Sequence, residues 1–163
     1  MMRARAAKSS WRDHPARARL LALYAEVDAI LAEYTCDAST ACCRFGVTGR
    51  EPYPTAAERA EIEHAVKSLG GEGALRRRLP LAPLEGAAVR EERVCPLLSE
   101  AGKCRIYASR PFGCRTFFCE RAVGPRKMPR PEIQRISRDI AALSAEAFPS
   151  DPHARPLTHF LKR

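Results

Sequence analysis

The chain has 163 residues, of which 45% are hydrophobic, and a net charge of +9 at neutral pH, which fits one domain with a modest core. It contains no run of the roughly 18 apolar residues that a transmembrane helix requires, and its basic N-terminus lacks the apolar run of a secretory signal. These features exclude a membrane-spanning class, and we expect a soluble cytoplasmic protein without a membrane partner.

The first predicted helix covers about residues 15–34. Pro15 suits a first helical position, and one face of the segment carries an apolar stripe. The stripe consists of Leu20, Tyr24, Val27, Leu31 and Tyr34. This pattern predicts a helix that packs against the rest of the domain through that face.

A second helix is predicted to begin at a capping box formed by Thr55 and Glu58. It is expected to end at Gly70, because glycine commonly follows the last turn of a helix. Its predicted buried residues are Ile62, Val66 and Leu69. The only Glu-x-x-His pair, Glu61 and His64, lies on this helix, and we interpret His64 as a surface residue because di-iron bundles need two such motifs.

The centre of the chain lacks helical periodicity. Residues 76–89 contain two prolines and a glycine and are predicted to form a loop. Segments 94–98 and 103–107 are short β-prone runs on either side of a turn-like sequence, which predicts a small hairpin. Ser109 and Pro111 suit the start of a helical turn.

The third long helix is predicted between Pro131 and Pro149, over residues 131–148. Its apolar residues recur at steps of three and four, namely Ile133, Ile136, Ile140, Leu143 and Ala147. The predicted fold class is therefore mainly α, with helices packed around an irregular cysteine-rich metal centre and a short β-hairpin.

We expect one domain over residues 1–163, with a cysteine core at 34–122. Basic residues exceed acidic ones in the N-terminal arm at 1–14 and in the C-terminal helix and tail at 123–163. Nucleic acid or an acidic protein would suit such basic ends as a partner. The sequence has no recognisable nucleic-acid motif, so solvated surface charge is the simpler interpretation.

Seven cysteines are the main chemical feature of the chain, and all lie outside the three predicted helices. The candidate metal ligands are Cys36, Cys42, Cys43, Cys95, Cys104, Cys114 and Cys119. An odd number in a reducing compartment argues against a disulfide framework. Thiolates are soft ligands that select zinc, copper(I) or iron–sulfur clusters. The alternative is that some cysteines are only small buried hydrophobes.

Charged and aromatic residues accompany the later cysteines. Arg105, Arg110 and Arg115 are expected to hydrogen-bond to sulfur or to nearby carbonyls around an anionic centre. Four aromatic residues are candidates to exclude solvent, although ordinary core packing is the better interpretation of the last two. They are Tyr107, Phe112, Phe117 and Phe118.

The cysteine pattern resembles the YkgJ-like cysteine-cluster family, which is described as zinc- or iron-chelating domains. The segments that carry the resemblance are "CDASTACC", "CPLL" and "KCRIYASRPFGCRTFFC", within residues 34–122. The later part matches the family pattern at every defined position. Ser39 stands where the family has its second cysteine, so the chain has seven of the eight thiols. Either Ser39 replaces a dispensable ligand, or one metal has an open position.

Three functions are compatible with these features. The leading one is a metal-binding protein that chelates iron, as a 4Fe–4S or other iron–sulfur cluster, or zinc through clustered thiolates, with the cluster ahead of zinc. The alternative is a metal- or cluster-dependent redox or group-transfer enzyme, since the family resemblance extends to protein lysine methylases. The second alternative is a zinc-stabilised interaction module with basic termini.

Ligand number predicts how the cysteines are arranged in space. The early group has only three sulfurs, at Cys36, Cys42 and Cys43, and adjacent side chains point in opposite directions when the backbone is extended. A four-ligand site therefore needs sulfurs from both groups, across the 51 residues between Cys43 and Cys95. We expect at least four sulfurs from the two groups to face one cavity.

Overall fold

The computed structural model describes residues 10–34, 40–75, 93–117 and 128–161, and the Glu72 and Ala74 side chains are excluded. The described part is mainly helical, which confirms the predicted fold class. Its helices are α1 (Pro15–Ile30), α2 (Phe45–Thr48), α3 (Ala56–Ser68), α4 (Phe112–Arg115), α5 (Arg130–Ala147) and α6 (Leu157–Phe160). Short 3-10 turns occur at Trp11–Asp13, Ala41–Cys43, Glu72–Leu75 and Tyr107–Ser109. No helix in these ranges is long and apolar enough to cross a membrane.

The three long helices α1, α3 and α5 pack against one another around a helical core. The core residues come from the predicted apolar faces of α1 and α5, together with Ala57 of α3. They include Leu20, Tyr24, Val27, Leu31, Ile136, Ile140 and Leu143. The periodicity of α1 and α5 therefore predicted most of their buried side chains, whereas Tyr34, Ile133 and Ala147 of the predicted stripes are only half-buried.

Two details of the predicted helices are wrong. Helix α1 ends at Ile30, and residues 31–33 form a turn, although Leu31 still packs into the core. The apolar stripe of α1 extends beyond the helix because Leu31 remains on the core after the backbone has left the helix. Leu69 was predicted to be buried but is 44% exposed, because α3 ends at Ser68 and the chain turns away at Gly70, where φ is +100°.

A second core lies beneath the cysteine-bearing segments. It joins Phe45 of α2, Ile62 and Val66 of α3, and Leu157 of α6 to the segment that carries Cys95. Its remaining buried members are Leu75, Val94, Cys95, Leu97, Leu98, Ile106 and Leu161. The cysteine region therefore has a hydrophobic core of its own.

The predicted hairpin is reduced to a single bridge between Leu98 and Cys104. Ser99 N–H donates to Lys103 O at 2.8 Å, and Arg105 N–H donates to Leu97 O at 2.9 Å. Gly102 closes the turn with φ of +69°, a conformation that favours glycine. Only two short edges pair here, so no extended strand forms. The predicted loop at 76–89 lies outside the described residues.

The C-terminal segment after α5 forms a strap across the cysteine region. Arg155 N–H donates to Pro54 O at 3.2 Å, and Leu157 N–H donates to Pro52 O at 3.0 Å. The buried Arg59 of α3 pairs with Asp151 and donates to His153 O at 3.0 Å. These contacts seat Leu157, which is fully buried, in the second core.

Leu157→Ala should lower the free energy of unfolding by about 2–5 kcal/mol, because it leaves a cavity in the second core. Urea unfolding followed by circular dichroism measures the change. Leu69→Ala is the matched control, and because Leu69 is 44% exposed its effect should stay within about 0.5 kcal/mol. Equal effects of the two substitutions would contradict the role of the strap.

Candidate metal centre

Cys42 and Cys43 belong to the 3-10 turn Ala41–Cys43, which follows Thr40 in the left-handed conformation (φ +61°). In this turn the two side chains do not alternate as they would in a strand, and their sulfurs lie 4.0 Å apart. The backbone geometry therefore turns two adjacent thiols toward one place.

Cys95 is held beside Cys43 by backbone pairing. Cys95 N–H donates to Cys43 O at 2.8 Å, Gly46 N–H donates to Arg93 O at 3.1 Å, and Arg44 and Val94 form an antiparallel bridge. The Cys95 thiol raises the pKa of Cys43 from across this pairing. This pairing joins the early and late cysteine groups across the gap in the sequence.

Cys104 and Cys114 reach the same region from two further turns. Cys104 forms the bridge with Leu98, and Cys114 lies in α4, where its N–H donates to Pro111 O at 2.9 Å. The early expectation of a helical turn after Pro111 is met by α4. Each of the two cysteines is thus fixed by a short, well-bonded backbone turn.

One cleft of about 1150 Å³ brings these thiols together. It is lined by Cys42, Cys43, Cys95, Cys104 and Cys114. The other expected ligands, Cys36 and Cys119, together with Ser39 and Phe118, lie outside the described residues. Within the described ranges, no three His, Cys, Asp or Glu side chains already stand in position around one metal ion. An ion held by three or more of these five thiols would therefore require their sulfurs to draw closer.

Burial and mutual contact raise the pKa values of Cys42, Cys43, Cys104 and Cys114. The hydrogen bond with Cys43, followed by burial, raises the pKa of Cys42 well above its usual range. The same bond lowers the pKa of Cys43, but contact with Cys95 and burial outweigh it and raise this pKa to about 12. Burial also raises the pKa of Cys104 and, strongly, that of Cys114.

Arg110 is a cation that acts on three of the thiols. Its charge lowers the pKa values of Cys42, Cys104 and Cys114 and so offsets part of the rise that burial causes. The guanidinium lies over the Tyr107 ring at 4.1 Å and 3.9 Å from a carboxylate oxygen of Asp28. It is therefore placed to compensate negative charge that forms on the sulfurs.

Arg115 hydrogen-bonds to nearby carbonyls, which is one of the two contacts predicted for it, and its charge lowers the pKa of Cys104. It is buried, lies over the Tyr24 ring at 4.1 Å, and pairs with Asp28. It also donates to Ala108 O and to Arg110 O, the latter at 2.9 Å. The contacts with Tyr24 and Asp28 fasten the Tyr107–Thr116 loop to α1, and the bonds to the two carbonyls hold the loop itself. Arg105 is half-buried. Its expected hydrogen bond to sulfur or to a nearby carbonyl stays a prediction.

The aromatic residues divide between the cleft and the core. Tyr107 is 63% exposed at the cleft, so it does not exclude solvent as predicted. Phe112 packs against the helical core. Phe117 lines the cleft, and the Arg50 guanidinium lies 5.5 Å from the centre of its ring. Core packing was thus the wrong interpretation for Phe117.

Two buried carboxylates of α3 hold the loop that carries Cys114, and the sequence analysis did not identify this role. Glu58 accepts from Phe112 N–H at 2.7 Å and from the Tyr24 hydroxyl at 3.2 Å. Glu61 accepts from Ser109 Oγ at 2.9 Å. Both residues are nearly inaccessible to solvent. Their spacing of three residues on the inward face of α3 is the signal that could have identified the pair.

Glu61 is ionised in the fold. Burial alone would raise its pKa, but hydrogen bonds from Arg17, Trp11 and Ser109 outweigh burial and lower it. Arg17 Nε donates at 2.8 Å and Trp11 Nε1 at 3.0 Å. This carboxylate therefore ties the N-terminal turn and the cysteine loop to one helix.

Glu61→Gln should cost about 2 kcal/mol of unfolding free energy at neutral pH, because Arg17 loses its buried counter-charge. The pKa of Glu61 is lowered by folding, so this contribution is complete above the ordinary carboxyl pKa. It disappears as the pH falls through the folded value, and the difference between variant and wild type should narrow in acid. Denaturant titrations across pH measure both effects.

The matched control is Glu146→Gln, which removes the surface pair with Arg19, whose side chains are 66% and 57% exposed. Its cost should stay within about 0.5 kcal/mol at every pH. A Glu61→Gln variant as stable as this control would contradict the bridging role.

The cysteine-bearing region matches a known family model. The model is CxxCxxCC, described as "Putative zinc- or iron-chelating domain", and it matches residues 35–138. This match confirms the resemblance inferred from the cysteine motifs. No curated protein and no solved structure matches the chain significantly.

Proposed function

The chain belongs to the CxxCxxCC family, and on that premise we propose that its cysteine-lined cleft binds zinc or iron ions directly through thiolates. The observation that carries this proposal is the convergence of five thiols from two distant groups on one cleft. Cys36 and Cys119 are the two further donors that we assign to the site.

The donor chemistry and spacing suit such an ion. Thiolates are preferred ligands of zinc, and Zn–S bonds of about 2.3 Å place two sulfurs of a tetrahedral site about 3.8 Å apart. The Cys42 and Cys43 sulfurs lie 4.0 Å apart, close to that separation. Terminal sulfurs around an iron–sulfur cluster would stand farther apart, so this spacing favours direct binding of an ion over a cluster.

The number of thiols supports more than one ion. A structural zinc ion takes four ligands, whereas five thiols line the cleft and two more belong to the assigned set. An iron–sulfur cluster held by four of the same cysteines is the second form that this donor set suits. The two forms differ in composition, so analysis of the purified protein separates them.

Protein purified without oxygen should contain zinc or iron and no acid-labile sulfide. Elemental analysis together with a sulfide assay tests this. Iron and sulfide in equal amounts would replace direct ion binding by the cluster form. Protein that contains no metal and takes up none would contradict the proposed function altogether.

Replacing one ligand should change the optical spectrum of the cobalt(II)-loaded protein, because sulfur-to-cobalt charge-transfer absorption scales with the number of bound thiolates. We expect Cys43→Ser and Cys114→Ser each to lower that band by roughly a quarter if a single four-thiolate ion is bound, and by roughly a seventh if all seven thiolates bind ions. Loss of a residue that hydrogen-bonds to a ligand lowers metal affinity by roughly tenfold to hundredfold. Loss of the ligand itself should lower the zinc affinity by more than that.

Ala41→Ser is the control for this experiment, since it adds a hydroxyl in the same turn without removing a thiol. It should leave the cobalt band unchanged. Full absorption in both cysteine variants would show that neither thiol binds the ion.

Metal binding should release one proton for each ligating thiol, because the raised pKa values keep the free thiols protonated near neutral pH. The apparent affinity should therefore fall about tenfold per ligating thiol for each unit of acidification. Competition titrations between about pH 6 and pH 8 give the number of protons as a slope. A slope near zero would mean that the ligands are not these thiols.

A further inference from the structure

The cleft is larger than a metal ion needs. Its volume of about 1150 Å³ is at or slightly above the range of roughly 300–1,000 Å³ that small-molecule sites occupy. An ion bound to its thiolates would fill a small part of that space. The remaining space suits a second, larger ligand beside the sulfurs.

Basic side chains dominate the cleft lining. Arg50, Arg93, Lys103 and Arg110 lie along it, in addition to the buried Arg115, and the acidic residues among its described lining are Asp28 and Glu51. This distribution is unexpected for a site that receives a cation, because a positive rim repels a bare dication.

Both acidic residues are already engaged. Asp28 pairs with Arg115 and lies 3.9 Å from Arg110. Glu51 accepts from the Thr158 N–H at 2.7 Å and from its hydroxyl at 2.6 Å, and it lies 3.8 Å from Arg93. The acids therefore do little to neutralise the remaining basic side chains.

Among the basic residues that line the cleft, Arg50 and Lys103 are exposed and have no carboxylate partner within the described residues. Arg50 is held over the Phe117 ring. A guanidinium fixed on an aromatic face keeps its N–H fork directed outward, and that fork matches a carboxylate. The cleft thus presents positioned cationic donors next to its thiols.

We propose that the cleft receives its metal ion as a complex with a small anionic polycarboxylate, which Arg50 and Lys103 hold while the thiols replace its donor atoms. This inference rests on the proposed function. Each sulfur that bonds to the ion gives its proton to solvent or to the departing chelator. Each carboxylate or amine bond that breaks returns a free donor to the chelator, so no oxidant or reductant is required.

Two tripodal zinc complexes of opposite charge test this proposal. Zinc nitrilotriacetate is an anion, and zinc tris(2-aminoethyl)amine is a cation with the same number of chelating arms. Stopped-flow measurement of zinc transfer should give a rate from the anionic donor that falls as salt is added, because salt screens attraction. The rate from the cationic donor should rise under the same conditions.

The double variant Arg50→Gln, Lys103→Gln should slow transfer from the anionic donor at low salt by about fivefold or more, within the range of electrostatic steering. Its equilibrium zinc affinity is measured in parallel and should fall by a smaller factor than the rate, since neither residue is a ligand. The control Arg12→Gln, Arg138→Gln removes the same charge from exposed positions outside the cleft lining and should leave the rate unchanged.

The outcomes separate this proposal from the function on which it rests. Equal salt dependence for the two donors, or equal rates for the two double variants, overturns the polycarboxylate proposal while zinc affinity remains. Failure to bind zinc from either donor overturns the proposed function, and this inference with it.

Discussion

The cysteine region depends on a short antiparallel contact between two distant segments. The bridge between Arg44 and Val94, and the bond from Cys95 N–H to Cys43 O, bring the early and late cysteine groups together. Loop closure over the intervening 51 residues costs entropy that two or three hydrogen bonds cannot offset alone. Phe45 and Val94 flank this contact and continue into the second core, so burial of apolar surface supplies the missing stabilisation.

Charged side chains complete what the hydrophobic cores begin. Glu58 and Glu61 accept hydrogen bonds from the N-terminal turn, from α1 and from the Tyr107–Thr116 loop. Arg115 of that loop contacts Tyr24 and Asp28 of α1. Buried ions of this kind contribute to specificity only when every partner is present. The turn that carries Cys114 is thus oriented by polar contacts with α1 and α3. The backbone of this turn is therefore already folded before a metal ion binds.

Local patterns predicted much of this arrangement. Periodic apolar residues located α1, α3 and α5, the capping box at Thr55 is present, and ligand number predicted the meeting of the two cysteine groups. Tertiary contacts explain the remainder. The pairing of Arg115 with Asp28 and the seating of Leu157 join residues far apart in sequence, and no repeat marks either of them. The predicted burial of Leu69 was wrong because its spacing continues the apolar stripe of α3 past the point where glycine ends the helix.

The C-terminal strap and helix α1 belong to the fold, although the range that matches the family model does not include them. The family match begins at residue 35 and ends at 138, within α5. Leu20 and Tyr24 lie before that range and Leu157 lies after it, yet all three are core residues. A fragment cut at the limits of the match would expose both cores to water. The segments that flank the matched range are therefore part of this fold, because they supply apolar side chains to both of its cores.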